Sequence, residues 1–216
     1  MNNALRKLRK ILATIGIAAV ITSMIVVVPT ASAQNFDDDA YQALVDAGIV
    51  TGAQDRTLPA TRRAFAKLMV GATLGTDLDA CESSVFSDVP TSDKDCAFIN
   101  AGADAGFWEG YPDGTFRPDN VINRFEMTKI LADVNGLDTE GCDVDTVLAD
   151  FTDGASVVEW ARGSVCAAAE AGLVAGLEGP NGTRMVGGSQ TVNRAQLFVA
   201  TDRVLSGGDG GRWPEN

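Results

Sequence analysis

The sequence predicts an all-α chain built from three helix–loop–helix repeats, and three observations carry that expectation. A pattern of Ala-Gly, two apolar residues, a variable residue and Gly recurs at 47–52, 105–110 and 171–176. An Arg stands directly behind a polar capping residue three times, at Thr61-Arg62, Asn123-Arg124 and Asn193-Arg194. Around these landmarks, apolar residues return at three- and four-residue spacing, the period of an amphipathic helix. A Phe followed closely by Asp precedes each unit, at Phe36-Asp37, Phe86-Ser87-Asp88 and Phe151-Thr152-Asp153.

Residues 1–33 read differently from the rest. Arg6, Lys7, Arg9 and Lys10 precede an apolar run over 11–28 and then Ala31-Ser32-Ala33. That order is a secretory signal peptide, with cleavage expected after Ala33. A retained membrane anchor is the alternative, because the run is just long enough to span a bilayer. No cysteine near the cleavage point suggests a lipoprotein anchor, and no apolar C-terminal segment suggests covalent sorting.

The repeats are expected over 34–75, 86–137 and 151–205. First helices are predicted over 39–47, 91–105 and 156–171, each stopped by Gly48, Gly106 or Gly172, where a left-handed residue is wanted. Second helices are predicted over 62–71, 124–134 and 194–205, capped by Thr61, Asn123 and Asn193. Glu126 and Gln196 stand three residues after their caps and complete capping boxes; the first unit has Ala64 there and lacks one. Pro112-Asp113-Gly114-Thr115 is a strong turn signal between helices, and Asn181-Gly182-Thr183 echoes it weakly. The Gly-rich stretch 206–216 reads as a loose tail.

Composition narrows the chemistry. The 216 residues carry a net charge of -12 and no histidine. Ser-His-Asp and Cys-His machinery and imidazole zinc sites are therefore excluded. No phosphate-binding loop or metal-ligand cluster is present, and Asp37-Asp38-Asp39 lacks a calcium-loop pattern. The expectation is a non-enzyme without cofactor or metal. An acidic surface repels nucleic acid, so no nucleic-acid partner is expected. Membrane contact is expected only through an uncleaved signal segment. Four cysteines in an exported chain suggest two disulfides. Of three pairings, Cys81–Cys96 and Cys142–Cys166 are favoured. Each joins a cysteine ahead of a unit's Phe to one inside its first helix.

Arg62, Arg124 and Arg194 all fall in the first turn of a helix, where a cation opposes the helix dipole at about 0.3–1 kcal/mol. Helix stability alone does not place them there. One reading is an anion site made by guanidinium and helix amides. The other is an ion pair with one of the many carboxylates. Trp160, inside a first helix, is expected in the core, whereas Tyr111, in the turn loop, is equally suited to stacking on a sugar. Glu126 is read first as a capping residue.

Unit two runs Phe86-Ser87-Asp88-Val89-Pro90, then Gly110-Tyr111-Pro112-Asp113-Gly114-Thr115-Phe116-Arg117-Pro118, then Asn123-Arg124-Phe125-Glu126. It resembles the S-layer homology motif. Unit three keeps Phe151, Asp153, Trp160-Ala161 and Asn193-Arg194-Ala195-Gln196 with an expanded loop, and unit one is truncated. The resemblance implies three motifs around a pseudo-threefold axis, with a central three-helix bundle of first helices. It implies inter-motif grooves that bind anionic, often pyruvylated, secondary cell-wall polysaccharide. The ligand-binding residues are then Arg124, Glu126, Arg62, Arg194, Gly110, Tyr111 and Asp113. The site is expected to centre on Arg124, because unit two alone keeps loop, cap and Glu126 together. The function implied is non-covalent attachment at the cell wall or surface of a bacterium. A structural envelope protein that packs against other envelope proteins and has lost sugar binding is the alternative.

Overall fold

The computed structural model describes residues 36–207. The expected signal peptide and the tail beyond Gly207 lie outside the described residues. Seven helices follow in order: α1 (Phe36–Asp46), α2 (Arg62–Thr73), α3 (Cys96–Asp104), α4 (Arg124–Val134), α5 (Val144–Ala149), α6 (Glu159–Glu170) and α7 (Arg194–Leu205). The second helices α2, α4 and α7 begin where their caps require. Asn123 and Asn193 form complete capping boxes with Glu126 and Gln196, while Thr61 caps the Ala64 amide alone. Gly48, Gly106 and Gly172 follow the first helices with φ of +72°, +78° and +71°.

Two first helices start later than expected. Asp93 accepts a hydrogen bond from the Asp95 amide (2.9 Å), which holds the preceding residues in turns until Cys96. Side-chain capture of a local amide competes in this way with helix propagation. Before α6, residues Gly154–Ser156 make one 3-10 turn, and Val157 and Val158 are extended. Helix α5, capped by Asp143, was not anticipated, nor was a two-residue antiparallel pairing of β1 (Leu177–Glu178) with β2 (Arg184–Met185) in the expanded loop of unit three. The fold remains all-α.

The second helices are joined by a closed cycle of backbone bonds just ahead of their N-termini. Ala60 N–H donates to Val192 (2.8 Å), Val192 to Ile122 (3.0 Å), and Ile122 to Ala60 (3.0 Å). All three residues are fully buried. The cycle continues into the helices: Arg62 N–H bonds Asn120, Arg124 N–H bonds Gln190, and Arg194 N–H bonds Leu58. First-turn amides have no partner within their own helix. Here each is satisfied by a different repeat.

Helix packing follows the same connectivity. The principal contacts set α1 against α7, α3 against α2, and α6 against α4, with α2 also against α7. Each first helix therefore rests on the second helix of another unit. This departs from the central bundle of first helices that the resemblance implied; the bonded helix starts lock second helices together, and first helices fill the flanks. Phe65, Leu44, Met69, Ile99, Ile122 and Leu197 sit in the main core. A smaller cluster around Leu148, Phe151, Val165 and Val186 seals unit three. Cys81 is bonded to Cys96 and Cys142 to Cys166, with Cα separations of 5.8 and 6.1 Å.

Candidate functional site

Arg62 and Arg124 lie almost wholly buried at helix starts, yet neither ion-pairs with a carboxylate among the described residues. Instead, each guanidinium reaches into the loop of the following unit. Arg62 Nε donates to the Phe116 carbonyl (2.7 Å), and Arg124 Nε donates to the Val186 carbonyl (2.9 Å). The amides of those loop residues are held from the other side. Asp88 accepts from Phe116 and Arg117 N–H (2.8 and 2.7 Å), and Asp153 accepts from Val186 and Gly187 N–H (2.7 and 2.9 Å). The Asp of the Phe-x-Asp opening is thus a clamp on its unit's loop. In unit one Asp37 and Asp38 pair with Arg56, and Arg194 Nη1 bonds the Gln54 side chain (3.2 Å).

Three grooves result, each framed by a loop, the second helix of that loop's unit, and an arginine from another unit. The first, of about 310 Å³, is lined by Arg62, Gly110, Glu126, Lys129, Asp133 and Trp160 among others. The second, of about 450 Å³, is lined by Arg124, Gly176, Gln196, Arg203 and Asp37 with apolar walls from Leu173 and Val199. The third, of about 230 Å³, contains Arg194, Gln54, Lys67, Lys94, Arg63 and Asp95.

This arrangement corrects the expected grouping. Gly110 and Glu126 share a groove with Arg62, not with Arg124. Arg124 faces the expanded loop of unit three, because a first-turn arginine reaches across to the next unit. Asp113 does not line that groove. It accepts bonds from the Thr115 amide and hydroxyl (3.1 and 2.6 Å) and pairs with Arg117 (2.8 Å). The Thr115 hydroxyl, then Arg117, lowers its carboxyl to about 2. Tyr111 is taken up by cations, with the Arg117 and Arg62 guanidiniums 3.9 and 4.8 Å from its ring centroid. Glu126 Oε2 is committed to the Asn123 amide (2.9 Å). Trp160, expected in the core, is 55% exposed. Trp108 is buried and bonds the Ile99 carbonyl through Nε1 (3.0 Å).

Burial dominates the electrostatics of the arginines. It lowers the pKa of Arg62 and Arg124, and lowers Arg203 to about 10. The Arg124 charge depresses Arg203 further, so the two guanidiniums of the second groove feel each other. All three remain cationic at neutral pH. Arg63 is different: Asp119, Asp93 and Asp95 surround it and raise its pKa. It ties α2 to the segment ahead of α3. No group of three or more His, Cys, Asp or Glu placed to hold a metal occurs among the described residues.

Residues 85–128 and 150–198 match the S-layer homology domain. The chain carries S-layer homology segments. The two matched segments are the units whose Asp clamp is intact. The chain is 30% identical over 211 residues, 93% of its length, to a surface-layer 125 kDa protein of Lysinibacillus sphaericus. It is 32% identical over 147 residues, 66% of its length, to an amylopullulanase of Thermoanaerobacterium thermosulfurigenes. The chain spans only 17% and 8% of those proteins. Sequence reasoning found the S-layer homology arginines but missed their neighbours Lys67, Lys94 and Arg203. No motif marks these.

Proposed function

We propose that this chain attaches non-covalently to anionic polysaccharide of a bacterial cell wall, principally through the groove at Arg124. What supports the reading is the state of that guanidinium. Arg124 is 7% exposed, Nε alone is hydrogen-bonded, and Nη1 and Nη2 have no partner among the described residues although the side chain lines an open groove. Guanidinium nitrogens that open onto a groove in this way are placed to receive an anion there. Arg203 adds a second guanidinium, and apolar walls surround both. A carboxylate or acidic ketal on a sugar, with its apolar substituent, suits that chemistry, and a planar guanidinium grips such a group in two places.

The test is co-sedimentation with purified wall polysaccharide. Arg124→Ala, checked for unchanged helix content, should weaken binding by about ten- to a hundred-fold, the usual loss for a charge-assisted contact. Arg62→Ala should lose less, because carboxylates share its groove. Equal binding by Arg124→Ala and the parent places the site elsewhere. A parent that fails to bind favours the structural envelope role.

A further inference from the structure

The Arg62 groove is chemically unlike its neighbour. Arg62 and Lys129 face three carboxylates, Glu109, Glu126 and Asp133. Lys129 is already paired with Asp133 (2.7 Å). Such a lining repels an anion. Trp160 forms part of the same groove and is 55% exposed, with its ring edge-on to Phe125 at 6.0 Å. Indole is among the largest apolar surfaces a chain has, and leaving more than half of it in water forfeits burial that α6 otherwise obtains. An aromatic ring in water beside carboxylate acceptors matches an uncharged sugar. The C–H face of a pyranose packs on indole, and its hydroxyls donate to Glu109 and Asp133.

We infer that the groove formed by Arg62, Glu126, Asp133 and Trp160 binds an uncharged pyranose residue, making it a second subsite with a ligand class different from that of the Arg124 groove. The inference rests on the wall-attachment reading only for the source of the sugar. It assigns Trp160 as the stacking platform and Asp133 as a hydroxyl acceptor. Anionic and neutral residues of one polymer are thereby recognised by different grooves.

The probe is wall polysaccharide whose carboxylates have been reduced to alcohols, titrated into the protein in a calorimeter. The parent should bind this neutral polymer with measurable heat. Trp160→Ala should lose at least tenfold in affinity, Trp160→Phe should keep most of it, and Arg124→Ala should bind it as the parent does. Because Trp160 is exposed, its removal leaves the core intact, and unchanged helix content checks this. The inference is overturned if the parent ignores the reduced polymer, if Trp160→Ala binds it normally, or if Arg124→Ala abolishes the binding. Failure of the wall-attachment reading looks different: the parent then ignores the native, unreduced polymer as well.

Discussion

An arginine in the first turn of a helix works against the dipole, and this chain places one there three times. The geometry at two of them gives the reason. Phe116 and Val186 are each gripped at the amide by an aspartate and at the carbonyl by an arginine from another unit. The arginine therefore fixes a loop as well as lining a groove. The aspartate half of the grip can be tested separately. Asp88→Ala leaves the Phe116 amide without its acceptor beside a side chain that is 2% exposed. Loss of a buried amide's partner costs about 1–3 kcal/mol, so its urea midpoint should fall accordingly, and an unchanged midpoint would remove Asp88 from this role. The sequence displayed both residues of the grip but not their connection, which runs between units. The exposure of Trp160 is hidden from the sequence for a related reason. Periodicity says which residues share a helix face, but not whether another element covers that face.

At the scale of elements, what was legible depended on local chemistry. Second helices could be bounded because Asn123, Asn193 and Thr61 cap within four residues of sequence. The first helices had clear ends at glycine and indistinct starts, because Asp93 redirects the chain by a side-chain bond that propensity does not register. The six-residue α5 is too short to show a period, and its stability comes from Leu148 in the smaller core and from the neighbouring disulfide. Cys142–Cys166 closes a segment with a sequence separation of 24 around α5 and Phe151. Cys166 is fully buried, so alanine is the better replacement for it. The double variant Cys142→Ala with Cys166→Ala should lose about 2–4 kcal/mol of unfolding free energy, measured in denaturant. The loss should fall mainly on unit three, read as earlier exchange of amides in α5 and α6. Retention of parental stability would show that the smaller core holds these elements without the bond.

For the molecule as a whole, the cycle through Ala60, Ile122 and Val192 makes the last repeat a partner of the first. Charge acts on the same whole. Asp113 is held at about 2 by the Thr115 hydroxyl and Arg117, and Arg63 lowers the pKa of Asp93. Such carboxylates bind fewer protons folded than unfolded, so their contribution is complete above about pH 4 and is lost as pH falls toward 2. Thermal stability should decline across that window, and a flat profile there would contradict the assignments. The cyclic bonding leads to a stronger expectation. A fragment covering residues 34–137 keeps α1 to α4, but loses the Val192 acceptor for Ala60, the Gln190 acceptor for Arg124 and the Gly188 acceptor for Phe125. It also loses α7, which covers α1 and packs on α2. Leu44 and Phe65 would face water where the last repeat now stands. With several buried donors unmatched and one side of the core open, the remaining contacts do not outweigh the entropy of ordering the chain. The fragment should therefore show reduced helix content and no cooperative thermal transition, whereas residues 34–207 should unfold in one step. A sharp transition in the fragment would mean that the repeats are separable units and that the backbone cycle joins domains already folded.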